Sequence, residues 1–399
     1  MGAVESALTS EYFGKLYNRI SRNSDIADMY ERLAEKSPDY EYKAMVYYDE
    51  VFGRNDYETR QRKLGKYDSF IRKSQSVRSC LKWWDIDYFR MQKVKDIKRV
   101  NLCHDKFCLN CQSAIADKRQ FKYEPILNSF LDRYIVCHCV FTVVNPKGSM
   151  LKQVIRRMYR QFGYFMRYLR GDARVRGINF LKYGFGGGLR SLEVTYNTEY
   201  RTYHPHFHCM LLFRKDCAEE VFKNPVNLNS FSYDRDNPDY IHYYTDMEIL
   251  FQKVWYLLYK GEKVTCDAIQ NLKEGYSVQV NDAEGHYNEV FKYSCKGAFN
   301  EESGSWLYDD EIFETLQGAL DKRRMIQGYG ELRGFKDEDS EILENLVEDK
   351  YNACIAQLLK FETPERVYES FEDIVNDENC QYISKLNFKR LLAEELKGE

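Results

Sequence analysis

The chain has 399 residues, 44% of them hydrophobic and 15% aromatic, with Lys+Arg 59 against Asp+Glu 62. That composition excludes whole-chain disorder and predicts a globular protein of two or three domains. No run approaches the ~18 consecutive apolar residues of a membrane span, and the first residues lack a basic-then-apolar leader, so the sequence predicts a cytoplasmic protein with no membrane partner. The net charge of -3 hides an uneven distribution: residues 331–399 hold 18 acids and 9 bases, residues 60–122 hold 17 bases and 6 acids, and residues 152–190 hold 10 bases opposed only by Asp172. Twelve cysteines in such a chain read as thiols and metal ligands rather than as a disulfide framework, and six lie between Cys80 and Cys139.

In chain order, residues 1–56 read as a helical extension without a motif. Residues 57–133 form a basic, cysteine-bearing segment, helical in pieces with a loop around 101–111. Residues 134–144 are a β-branched and aromatic run, a strand closed by the turn Asn145-Pro146-Lys147-Gly148. Residues 151–169 repeat apolar side chains near the 3.6 period, which predicts an amphipathic helix with Arg156, Arg157, Arg160, Arg167 and Arg170 on its outer side. Arginines interleaved with Tyr159, Tyr164 and Tyr168 suit phosphate contact and base stacking, against the alternative of a merely solvated helix face. Gly186-Gly187-Gly188 lacks the Gly-Lys-Ser/Thr continuation of a phosphate loop and opens a hairpin, 189–196 and 203–213. A helix over 246–259, a strand over 276–280 and a helix over 287–296 follow. The order predicts an α+β domain with a mostly antiparallel central sheet over 134–335, and an acidic helical extension over 336–399.

His204-Pro205-His206-Phe207-His208 is the most informative string. On a strand, residues two apart share a face, so His206 and His208 point one way and Phe207 the other. Glu193, on the preceding strand, can add a carboxylate across the hairpin, and two imidazoles with one carboxylate make an open site for a divalent cation. His204 is a further ligand or a substrate contact. A zinc hydrolase uses similar ligands, so the string alone does not fix the reaction.

Glu289, Tyr293 and Lys296 stand at i, i+4 and i+7 of the helix expected over 287–296, on one face. A tyrosine nucleophile needs its phenol made more reactive by a nearby cation, which Lys296 or the metal field supplies, and Glu289 can act as a general base. Among 33 tyrosines this pattern carries weight only through the histidine strand upstream.

Together these stretches resemble the rolling-circle plasmid replication initiators (Rep) of the His-hydrophobic-His (HUH) endonuclease superfamily. Phe141-Thr142-Val143-Val144 resembles the family's first motif. Leu192 to Asn197 with Tyr203 to His208 is similar to its metal motif, and Glu289 to Lys296 to its nucleophile motif. Cys103, Cys108 and Cys111, following Cys80, are similar to a cysteine cluster of this family, and thiolates at that spacing suit structural zinc, with Cys80 as fourth ligand and His104 as its rival. Gly328-Tyr329-Gly330 looks like the family's closing segment, and residues 1–56 and those after about 336 have no counterpart.

The resemblance implies an HUH endonuclase domain with helical extensions, and an enzyme that binds a plasmid origin as single strand or hairpin. Mg²⁺ or Mn²⁺ on Glu193, His206 and His208 would polarise the scissile phosphate. Attack by Tyr293 would leave a 5′-phosphotyrosine link and a free 3′-OH, and ends would be rejoined at termination. It further implies a host helicase and DNA polymerase as partners, and admits a homodimer. A relaxase or single-strand transposase of the same superfamily, or a zinc-stabilised DNA-binding regulator without catalysis, are the alternatives.

Overall fold

A computed structural model describes residues 10–37, 66–223, 231–233, 241–283, 287–291, 299–300, 305–306, 309–333, 338–377, 379–385 and 387–388. The chain is a mixed α+β protein of two compact units, Met1–Phe121 with Glu338–Glu399, and Lys122–Asp337. Its longer elements are α1 (Ser10–Glu35), α2 (Lys66–Arg78), β1 (Trp83–Phe89), β2 (Val94–Val100), α3 (Leu109–Ser129), β3 (Tyr134–Thr142), α4 (Gly148–Leu169), β4 (Phe185–Asn197) and β5 (Thr202–Arg214). They continue with α5 (Asp246–Lys260), β6 (Val278–Asp282), α6 (Asp310–Leu320), β7 (Ile326–Gly330), α7 (Glu338–Leu359), β8 (Glu365–Ser370) and β9 (Gln381–Ile383). Among the described residues no helix is long and apolar enough to cross a membrane.

The first unit corrects two expectations. The basic segment is not helical in pieces throughout, because the alternating runs Trp83–Phe89 and Val94–Val100 pair as an antiparallel hairpin. The acidic C-terminal segment is not a purely helical extension, because β8 pairs with β1 and β9 runs parallel to β2, giving the strand order β8-β1-β2-β9. Charge explains both. Lys95 on β2 is buried, and a buried ammonium needs partners; Glu369 at 2.8 Å and Asp377 at 2.6 Å supply them from the C-terminal segment. Its neighbour Asp96, fully buried, meets Lys98 at 2.8 Å and the Tyr351 hydroxyl at 2.6 Å. Two carboxylates of the tail thus neutralise a buried lysine of the basic hairpin within one unit. Helices α1 and α2 are tied by Glu31, which accepts from Ser74 and from Arg78.

The second unit is built on a five-stranded, wholly antiparallel sheet of order β7-β4-β5-β3-β6. The two central strands are long, and their register sets Glu193 opposite His206, Leu192 opposite Phe207 and Ser191 opposite His208. Helix α4 covers one face: Phe162 and Phe165 meet Phe141 edge-on at 5.2 and 5.1 Å, and Tyr159 and Phe162 meet Phe207 at 5.4 and 5.2 Å. Phe251 and Trp255 of α5 complete this aromatic layer. A capping box between Thr245 and Glu248 starts α5, and the second oxygen of buried Glu248 accepts the Val280 N–H at 2.7 Å, fixing the helix to β6. The triple glycine answers to close packing: a Cβ on Gly187 would lie 2.7 Å from the Tyr329 carbonyl oxygen, and one on Gly188 2.7 Å from that of Met210. On the other face, Ile126 and Leu127 of α3 pack with Leu189, Met210, Leu212, Val290 and Phe291.

Candidate functional site

Strand alternation decides which side chains meet. Phe207 enters the aromatic layer under α4, so His206 and His208 must emerge on the opposite face, and Glu193 joins them because directly opposed residues share a face. The Glu193 carboxylate lies 3.0 Å from His208 Nε2 and 3.8 Å from His206 Nε2, and the two Nε2 atoms are 3.1 Å apart. All three side chains are buried, and their donor atoms converge on one point.

The protonation pattern suits a cation. His206 Nδ1 is 3.0 Å from the His204 carbonyl oxygen, which can only accept, so Nδ1 carries the proton and Nε2 presents its lone pair to the cluster. Burial, with the neighbouring His208 second, pushes the His206 imidazole down to about 4, so it is neutral at physiological pH. Two imidazoles and one carboxylate on one strand pair are a donor set for a divalent ion with coordination positions to spare. His204 stands outside this donor group; its ring centroid is 4.7 Å from that of His206, and it is its backbone carbonyl that orients His206.

The nucleophile motif is only partly visible. Tyr293 and Lys296 lie outside the described residues. Glu289 belongs to the short helix Asn288–Phe291, whose Val290 and Phe291 pack on Leu189, Met210 and Leu212. Met210 follows His208 by two residues on the same strand, so this helix sits on the face of the sheet that carries Glu193, His206 and His208. Tyr287, just before it, is buried, and its hydroxyl has no hydrogen-bond partner among the described residues.

The arginines occupy the other side. Arg156, Arg157, Arg160 and Arg167 on α4, and Arg170 at its C-cap, are all exposed, and this helix covers the face opposite the histidines. At 100° per residue, Arg156, Arg160 and Arg167 fall within an arc of roughly 40°. Arg157 lies over the Tyr259 ring and Arg167 over the Tyr164 ring, while Arg170 pairs with Asp172 at 2.8 Å. This separation is not legible in the sequence, because periodicity identifies a helix face but not the sheet face it leaves bare.

The first unit holds a second cluster. Cys80, Cys103, Cys108 and Cys111 bring their sulfurs together at 3.6 Å (Cys80–Cys111), 3.5 Å (Cys103–Cys111) and 3.5 Å (Cys108–Cys80). Four thiolates around zinc at Zn–S of about 2.3 Å would stand about 3.8 Å apart, so the sulfurs fit that ion. The neighbouring sulfurs, Cys103 first, pull the Cys111 thiol below its ordinary range, the direction that favours a thiolate ligand. His104 is not in the donor group; its side chain is exposed, and its backbone N–H, in a left-handed turn (φ 57), donates to Cys111 Sγ at 3.1 Å. Asn23 of α1 was invisible to motif reading: its amide donates to Cys108 Sγ at 3.3 Å and accepts from the Leu109 N–H at 2.9 Å.

Residues 94–227 match the family model described as Replication protein. A "Protein rep" of Bacillus sp is 27% identical over 40% of this chain and 49% of its own length, and one of Bacillus amyloliquefaciens is 25% identical over 58% and 62%. A "Protein rep" of Streptococcus pneumoniae is 27% identical over 31% of this chain and 37% of that protein. The chain thus spans about half of the first of these relatives and three-fifths of the second. No solved structure matches it. The matched segment contains the whole Glu193, His206 and His208 cluster, and with these relatives it supports the plasmid Rep family as this chain's family, with which the HUH superfamily is consistent.

Proposed function

We propose that this protein initiates rolling-circle replication of a plasmid by binding the origin and nicking one strand. The observation that carries this reading is the convergence of Glu193, His206 and His208 inside the segment shared with replication proteins. A bound Mg²⁺ or Mn²⁺ would draw charge from the scissile phosphate. Glu193 and His208 hold one side of the donor set, and His206, its Nδ1 proton engaged by the His204 carbonyl, completes it.

Tyr293 is the nucleophile in this proposal. It follows by two residues in sequence the end of the short helix Asn288–Phe291, whose Phe291 shares a hydrophobic cluster with Met210. The phenol oxygen attacks phosphorus in line and the 3′-oxygen leaves, so the product is a 5′-phosphotyrosine link and a free 3′-OH that primes a host polymerase. Glu289 takes the proton of a second nucleophile at termination, and Lys296 favours the phenolate. The exchange of one phosphodiester for another is reversible, which permits rejoining. On the opposite face of the sheet, the arginines of α4 contact duplex phosphates flanking the nick, and the four-cysteine cluster holds a structural zinc in the first unit.

Partnership with a host helicase, a cytoplasmic location and a homodimer belong to the same proposal. The test is cleavage of a single-stranded oligonucleotide carrying the plasmid's own origin, with Mn²⁺ and with chelator. Cleavage only with the metal supports the reading. Origin binding without cleavage at any metal concentration favours the zinc-stabilised regulator instead.

A further inference from the structure

The metal-site face carries one more imidazole, on a strand that contributes nothing to the donor set. His138 lies on β3 opposite Met210, and Val140 lies opposite His208, so His138 is the diagonal neighbour of His208 on the same face. Its Nε2 is 3.0 Å from His208 Nδ1, and the two rings are nearly coplanar, at 5° with centroids 5.2 Å apart. His208 turns its other nitrogen, Nε2, toward Glu193 and His206.

We propose that His138 is a positioning residue for the metal, acting through His208. A ligating imidazole binds with one nitrogen bare and its proton on the other, and the hydrogen bond made by that other nitrogen decides which is which. His138 Nε2 accepts the Nδ1 proton of His208. This leaves the His208 Nε2 lone pair on the donor point, as the His204 carbonyl does for His206. The near-coplanar rings also limit rotation of His208 about its Cβ–Cγ bond. The two ligating imidazoles are therefore locked by different means, one by a carbonyl of its own strand and one by a side chain from the neighbouring strand.

The inference rests on the metal-site reading proposed above, and one set of measurements separates the two. Mn²⁺ affinity is measured by titration calorimetry for the wild type, His138→Ala and His138→Gln, with thermal unfolding recorded in parallel. Glutamine can still accept a proton from His208 Nδ1. The proposal expects His138→Ala to weaken Mn²⁺ binding by ~10–100-fold and His138→Gln to recover most of the loss. Nitrogen-15 spectra of the loaded wild type should show His208 protonated at Nδ1, a readout that does not depend on either variant folding.

An affinity of His138→Ala within twofold of wild type, a glutamine variant as weak as the alanine one, or His208 protonated at Nε2 overturns the role of His138 and leaves the metal site standing. A wild-type protein that binds no Mn²⁺ overturns both.

Discussion

A ring nitrogen can hold a cation only when it carries no proton, and for His206 the carbonyl of His204 enforces that condition. The donor set therefore does not need to be assembled by the ion. If Glu193, His206 and His208 hold the ion, replacing His206 or His208 with alanine removes one of three converging donors, so Mn²⁺ affinity should fall at least ~10-fold and metal-dependent nicking should be lost. Calorimetry and an oligonucleotide cleavage assay check the two effects. Glu289 makes a narrower claim. Glu289→Gln should spare first-strand nicking and impair termination, and equal loss of both steps would reject its assignment as base.

At the scale of elements, the sheet of the second unit divides the labour: β4 and β5 present the cluster on one face, and α4 presents arginines beyond the other. If that row neutralises DNA phosphates, changing Arg156, Arg160 and Arg167 to alanine should flatten the log affinity against log salt slope by about 0.9 per lost contact. An unchanged slope would mean a solvated face. The cysteine cluster behaves as an element of its own, with sulfurs drawn from the ends of α2 and β2 and the start of α3. Zinc content measured on purified protein should be about one per chain and should fall on Cys103→Ser, with loss of stability in the first unit.

Legibility in the sequence followed the range of the interaction. The hairpin, its register face and the α4 amphipathic pattern depend on spacing within a few residues, and Glu193, His206 and His208 were readable for that reason. His138 was not, since a histidine among Val136, Cys137, Cys139 and Val140 acquires meaning only when β3 pairs with β5.

For the whole molecule, charge distribution is the clearest organising feature. The acidic C-terminal segment reads in isolation as a solvated extension, yet Glu369 and Asp377 hold Lys95 in the interior of the first unit, and β8 and β9 complete its sheet. The pairing joins residues more than 270 positions apart, which no local pattern can reveal. Removing both carboxylates, as Glu369→Gln with Asp377→Asn, leaves a buried ammonium without a counterion and should cost ~3–5 kcal/mol in urea unfolding. A loss under ~1 kcal/mol would mean that Lys95 escapes to solvent.

In the proposed reaction Tyr293 attacks a phosphate held at the Glu193, His206 and His208 cluster. The most direct test is to incubate the protein with labelled single-stranded origin DNA and Mn²⁺, denature it, and map any adduct by mass spectrometry. A covalent 5′-phosphate is expected on Tyr293, absent from Tyr293→Phe although that variant still binds the DNA. An adduct that persists in Tyr293→Phe, or one mapped to another residue, would contradict this reaction.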